Sequence, residues 1–195
     1  QPYLYKTKNY GETWTLITNG IDSKHFTRVV RADPNKRGLL YAGTETGMYI
    51  SFDDGASWQS FQRNLPIVPI TDLTIKNKNL IAATQGRSFW MIDDLSPLHQ
   101  LDANIANSQF HLYKPLDSYL MDGGSGRVSR TSGQNHPGGV MVNYYVKELT
   151  DSTKITLEFA DATGNVIKTF GTHVKDKKDS LGVEKGNNQF IWNMQ

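Results

Sequence analysis

Two stretches of this chain are copies of one another. Ala42-Gly43-Thr44-Glu45-Thr46-Gly47-Met48-Tyr49-Ile50-Ser51-Phe52-Asp53-Asp54 aligns without a gap on Ala82-Ala83-Thr84-Gln85-Gly86-Arg87-Ser88-Phe89-Trp90-Met91-Ile92-Asp93-Asp94, at an offset of 40 residues. A second offset, of 44, lays Thr7-Lys8-Asn9-Tyr10-Gly11-Glu12-Thr13-Trp14 on Ser51-Phe52-Asp53-Asp54-Gly55-Ala56-Ser57-Trp58. Between the copies run short segments rich in β-branched and aromatic residues, 27–32, 39–43, 48–52, 80–83 and 89–92. They are bounded by turn signals at Asp33-Pro34-Asn35, Thr46-Gly47, Asp54-Gly55 and Gly86-Arg87. With 17 glycines, nine tyrosines, eight phenylalanines and no sustained helical periodicity, the chain reads as all-β. In such a chain a period of about 40 to 45 residues belongs to four-stranded units, each of which needs neighbours to cover its faces.

The eight-residue unit resembles the Asp-box, Ser/Thr-x-Asp-x-Gly-x-Thr/Ser-Trp, of sialidase-like and sortilin-like β-propellers. Ser51 to Trp58 fits every position, whereas Thr7 to Trp14 carries Asn9 in place of the aspartate. The expected role of Thr7, Asn9, Gly11, Trp14, Ser51, Asp53, Gly55 and Trp58 is structural. A short side-chain oxygen at Asp53 accepts backbone N–H bonds within the turn, Gly55 takes positive φ, and Trp58 packs beneath the hairpin. At the third copy Asp93-Asp94 runs into Leu95-Ser96-Pro97-Leu98, and the box is lost. The string from Gly86 to Leu98 resembles the closing stretch of the propeller in large bacterial proteins with sortilin-like repeats, often described as glycosyl hydrolases. The resemblance implies about two and a half four-stranded blades over residues 1–104: two strands up to residue 18, a blade over 26–63 and another over 67–101. Two and a half blades cannot close a ring. The expectation is a piece of a longer protein, its partners being the remaining blades of the parent or a second copy.

A second module is expected over 105–195. It opens at Phe110-His111-Leu112-Tyr113-Lys114-Pro115 and contains a glycine-, serine- and asparagine-rich segment at 122–139 that reads as a flexible loop. Strands are expected at 140–146, 154–159, 166–170 and 188–192, with a hairpin at Asp161-Ala162-Thr163-Gly164-Asn165. Apolar Ile155, Leu157 and Phe159 alternate with Thr156 and Glu158, as in a half-wet sheet. The segment resembles the immunoglobulin-like β-sandwich modules of the flagellar-hook-cap type that follow such propellers, which act as spacers or recognition surfaces.

The charge balance gives no case for nucleic acid or an anionic membrane: 21 Lys and Arg against 19 Asp and Glu leave a net +2. There is no cysteine, which removes thiolate metal sites and cysteine nucleophiles. No apolar run approaches the roughly 20 residues that span a bilayer. A glycoside hydrolase needs two carboxyls about 5 to 9.5 Å apart across the scissile bond. Asp93 and Asp94 are the nearest pair, but neighbours on a strand point to opposite faces. A sialidase would need an arginine cluster and a tyrosine nucleophile. Arg28, Arg31 and Arg87 lie in or beside strands with Tyr41 and Tyr49 nearby, yet the sialidase arginine motif is not visible. Asp93, Asp94 and Arg87 remain the catalytic candidates, and Phe89 and Trp90 the aromatic platform for a ligand.

The five histidines have no metal-ligand spacing, Gly123-Gly124-Ser125-Gly126 lacks the lysine of a P-loop, and two adjacent aspartates fall short of the 6 to 8 oxygens that calcium takes. No cofactor or metal is expected. The expected function is a carbohydrate- or protein-binding scaffold segment without a complete active site. The alternative is part of a glycoside hydrolase, sialidase-like or xyloglucanase-like, whose catalytic groups lie in other blades. The resemblance implies an extracellular, periplasmic or cell-envelope location.

Overall fold

The computed structural model describes residues 1–119, 138–150 and 152–194. They belong to two compact units, 1–95 and 96–195. The expected loop at 122–139 lies outside the described residues, except for Gly138 and Gly139.

The first unit contains three antiparallel sheets in chain order. A hairpin of β1 (Tyr5–Lys6) and β2 (Thr15–Leu16) comes first. A four-stranded meander follows, β3 (Thr27–Ala32), β4 (Leu40–Thr44), β5 (Gly47–Ser51) and β6 (Gln59–Ser60). The last sheet has three strands where four are expected, β7 (Ile70–Lys76), β8 (Asn79–Thr84) and β9 (Phe89–Ile92). Among the described residues no fourth strand joins this sheet, and Ser96-Pro97 opens a helix where the eight-residue pattern is not repeated. The fixed φ of proline suits a first helical turn.

Every residue of β4 and β5 is buried. A strand exposes alternate side chains to opposite faces, so burial along its whole length means that both faces of the sheet are covered. On one face Leu40, Ala42, Tyr49 and Trp58 form a cluster with Leu4, Ile17 and Ile21 from the first hairpin and the segment that follows it. On the other, Gly43 lies against Ile70 of β7. A Cβ at Gly43 would sit 2.7 Å from Ile70 Cγ2 and 2.8 Å from Val29 Cγ1, so β7 approaches β4 closely only because this residue has no side chain. Ion pairs stitch the same boundaries: Lys6 with Asp54 between the hairpin and the meander, Arg31 with Asp72 at 2.6 Å between β3 and β7.

The register corrects the gap-free alignment of the two copies. In the meander Ala42 pairs with Tyr49 and Gly43 with Met48. In the third sheet Ala82 pairs with Trp90 and Ala83 with Phe89. The connection between the paired strands is one residue longer there, with Gly86 and Ser88 both at positive φ. Trp90 therefore occupies the place of Tyr49 and not that of Ile50, and Phe89 occupies the place of Met48. Since one step along a strand exchanges faces, the single extra residue reassigns every side chain of β9.

In the second unit α1 (Ser96–Gln100) and α2 (Ala103–Asn107) precede β10 (Phe110–Leu112). Asp102 caps α2 by accepting from Ile105 N at 2.9 Å. Strands β10, β11 (Val140–Val146) and β14 (Gly186–Trp192) form one antiparallel sheet, with β11 in the centre. A hairpin of β12 (Thr156–Ala160) and β13 (Val166–Gly171) forms the other. Val142, Tyr144, Val146 and Phe190 share one core with Leu157, Phe159 and Phe170, so the apolar faces of both sheets are spent on each other. Asp161 closes the β12–β13 turn, accepting from Thr163 N and Asn165 N, each at 2.9 Å.

Gly43→Ala is expected to destabilise the first unit by about 1 to 3 kcal/mol through overpacking, and Ile70→Ala by about 2 to 5 kcal/mol through a cavity. Because the new methyl fills the space that Ile70 vacates, urea denaturation of the double variant should give a loss at least about 0.5 kcal/mol smaller than the sum. An additive result would contradict the close approach of β4 and β7.

Candidate functional site

The two eight-residue turns, Thr7 to Trp14 and Ser51 to Trp58, are wired alike, contact for contact. In the second, Ser51 Oγ donates to Asp53 Oδ1 at 2.8 Å and accepts from Gly55 N at 2.9 Å. Asp53 Oδ1 also accepts from Ser57 N at 2.8 Å, and Oδ2 accepts from Ser57 Oγ at 2.5 Å. In the first, Thr7 Oγ1 donates to Asn9 Oδ1 at 3.0 Å and accepts from Gly11 N at 2.8 Å, while Asn9 Oδ1 accepts from Thr13 N at 2.9 Å. Only the last bond is reversed, Asn9 Nδ2 donating to Thr13 Oγ1 at 3.0 Å. The backbone repeats too. Tyr10 and Asp54 have φ of 56° and 60°, and the following glycines, Gly11 and Gly55, 99° and 87°. This second position is where a side chain would be strained, and glycine removes the strain.

The tryptophans of the two boxes differ in their surroundings. Trp58 is 5% exposed and its Nε1 donates to Ile17 O at 2.7 Å, on the chain leaving the first hairpin. Trp14 is 60% exposed and donates to Gly11 O of its own turn at 3.1 Å.

Asp93 and Asp94 lie beyond β9, in the bend that leads to Leu95, so the alternation of a strand does not govern them. Both are half-buried. With the Asn79 amide turned to put its nitrogen toward the bend, the orientation that satisfies both of its polar atoms, it donates to the backbone carbonyl of Asp93 at 2.7 Å and fastens the bend to the start of β8. Arg87 and Phe89 are exposed, while Trp90 is half-buried with Nε1 donating to Arg87 O at 2.9 Å. The Trp90 ring lines a groove with Met48, Phe61, Leu65 and Leu80 whose volume is about 40 Å³. Small-molecule pockets run from about 300 to 1,000 Å³, so this groove is a packing seam between neighbouring sheets. A larger cleft of about 370 Å³ opens between the first hairpin and the second box. Its polar wall is satisfied from within: Lys6 pairs with Asp54, Asp53 holds its own turn, and Asn19 donates to Ala56 O at 3.2 Å.

The tyrosines that a sialidase reading would enlist are enclosed. Tyr41 is fully buried and its hydroxyl donates to Asp33 Oδ2 at 3.1 Å. Burial, then the Asp33 charge and the hydrogen bond to it, push the phenol well above its ordinary range, which keeps it protonated and un-nucleophilic. Tyr49 is buried as well, its hydroxyl 2.8 Å from His25 Nδ1. Arg28 is paired with Glu45 at 2.5 Å and Arg31 with Asp72, so neither guanidinium joins a cluster with Arg87. Among the described residues no three His, Asp or Glu side chains converge as metal ligands, and no helix is long and apolar enough to cross a membrane.

Sequence reasoning did not find the pairing of Asp33 with Tyr41 or the inter-sheet ion pairs, because none of these lies at a repeat offset. It did not find the equivalence of Tyr5 with Tyr49 either, although that signal was in reach. The offset of 44, carried three residues upstream, lays Leu4-Tyr5-Lys6 on Met48-Tyr49-Ile50. Comparison with protein-family models, with curated proteins and with solved structures finds no match to this chain.

Hydrogen bonds from the Ser57 hydroxyl and backbone, with a smaller one from Ser51, hold the Asp53 carboxyl below the usual range. Its pKa is lower folded than unfolded, so its stabilisation is present above the unfolded value of about 3.9 and is lost as pH falls through the folded value. Asp53→Asn should keep the turn, as Asn9 does, and reduce the loss of stability between neutral and acid pH. Asp53→Ala should cost about 1 kcal/mol or more at pH 7, the scale of losing a turn-closing acceptor. Thermal melts from pH 7 to 3 check both, and an Asn variant as damaging as Ala would refute the shared wiring.

Proposed function

We propose that this chain is a repeat-built scaffolding and binding segment: the last blades of an Asp-box, sortilin-like β-propeller joined to an immunoglobulin-like sandwich, exported from a bacterial cell and lacking a complete active site of its own. The observation that carries the reading is the Asp53 carboxylate. Both of its oxygens are engaged by Ser51 and Ser57 of its own turn, and the companion Asn9 is built into a turn that differs only in the reversed bond to Thr13. Such a residue serves architecture. The tyrosines with the chemistry of a sialidase nucleophile, Tyr41 and Tyr49, are buried and hydrogen-bonded, which supports the same reading. Stacked sheets whose middle member is covered on both faces are what neighbouring blades provide, and two sheets sharing one core are compatible with a small sandwich. On this reading the partners are other blades of the parent or a second copy of this chain, with a glycan or peptide held across several blades, and no cofactor takes part.

The expected result is that the chain releases no product from xyloglucan oligosaccharides or sialosides, while pull-downs with immobilised glycan or peptide retain ligand uncleaved. Product release that falls at least about a hundredfold in Asp93→Asn or Asp94→Asn, with the fold intact, is the behaviour of a lost acid–base group and would replace the scaffold with a hydrolase.

A further inference from the structure

We propose that the outer face of the first hairpin, carrying Tyr5, Trp14 and Leu16, is the docking surface for the outer face of β8 and β9 in a second copy of this chain, joining copies head to tail. The inference rests on the three sheets being equivalent repeats. The offset of 44 lays Tyr5 on Tyr49, Leu16 on Ser60 and Trp14 on Trp58. The strand pairing agrees, since Tyr5 opposes Leu16 as Tyr49 opposes Ser60. Tyr49 and Trp58 point backward, toward the preceding hairpin, and are 8% and 5% exposed because Leu4 and Ile17 cover them. Their counterparts are exposed: Tyr5 is 53% exposed, Trp14 60% and Leu16 51%. The Trp14 indole N–H, without a neighbour's carbonyl such as Ile17 gives Trp58, turns back to Gly11.

The other end of the stack supplies what is missing. Leu4 and Met48 hold equivalent places and point forward, each onto the next sheet. Phe89 opposes Ala83 as Met48 opposes Gly43, so Phe89 is the third member of that series. It is 77% exposed, and Met91, two residues on along the same face, 49%. The first unit thus carries both halves of its own sheet-to-sheet contact, on its first and its last sheet, and both are exposed. Two unlike surfaces of this kind make a heterologous contact, in which one copy's head receives another's tail.

Sedimentation velocity on the 195-residue chain tests this, with Tyr5→Arg/Leu16→Arg as the head-blocked form and Phe89→Arg as the tail-blocked form. The wild type should self-associate as its concentration rises toward about 100 μM. Each blocked form should raise the midpoint at least tenfold, as loss of a buried aromatic anchor does. An equimolar mixture of the two blocked forms keeps one intact head and one intact tail, so it should recover a dimer and stop at two. Near-UV circular dichroism confirms that the variants are folded, and Tyr5→Ser and Phe89→Ser replace them if they are not. A wild type that stays monomeric overturns the proposal, as do blocked forms that associate as well as the wild type. Association of the wild type without recovery in the mixture overturns the head-to-tail geometry while leaving the repeat reading intact.

Discussion

With every residue buried, β4 and β5 leave neither face to water, so they need packing against both. The first unit follows from that requirement. The hairpin of β1 and β2 supplies Leu4 and, through the chain leaving it, Ile17 to one side. The β7 strand supplies Ile70 to the other, at a distance that only glycine at 43 permits. Hydrophobic burial provides the attraction and does not by itself choose a register. The register is set by the turns, by the Lys6–Asp54 and Arg31–Asp72 pairs at the two boundaries, and by the missing side chain at Gly43. These ion pairs are half-exposed and contribute little to stability, so their part is alignment more than attraction.

Much of the strand layout could be read in advance because it depends on short-range patterns. The segments at 27–32 and 140–146 end where β-branched residues give way to turn formers, and the Asp161 turn announces the β12–β13 hairpin. The turn chemistry of Asp53 and Asn9 was legible for the same reason, since all of its partners lie within four residues. What escaped the sequence depends on distance or on counting. A gap-free alignment rewards similar residue types and is blind to a connection that has grown by one residue, so Trp90 was set beside Ile50 when it faces as Tyr49 does. The helix at 103–107 is short enough to show no periodicity, and only its cap, Asp102 three residues before Ile105, betrays it. The buried Asp33–Tyr41 bond and the ion pairs across sheets join residues that no local pattern relates.

The contrast between the two box tryptophans shows how one motif serves two purposes. The turn needs the side-chain oxygen, the glycine and the hydroxyls, all of which close on themselves in both copies. The ring projects beyond the turn and finds its acceptor on a different segment: at Trp58 the carbonyl of Ile17, more than forty positions away. The motif is thus a self-contained knot with one arm extended to whatever stands beside it. That explains why the knot at Thr7 to Trp14 is as regular as its fellow although its arm rests in solvent.

The reversed bond at Asn9 has a bearing on how this protein ages. Asparagine side chains lose ammonia slowly in water, and where the amide is required the product is a damaged molecule. Here the amide nitrogen does nothing except donate to the Thr13 hydroxyl, which in the sister turn is matched by a serine that donates the other way. Direct hydrolysis of Asn9 to aspartate, as distinct from rearrangement through a succinimide to isoaspartate, would need only a rotation of the Thr13 O–H to give the arrangement already present around Asp53, so by that route the turn passes from one working form to another.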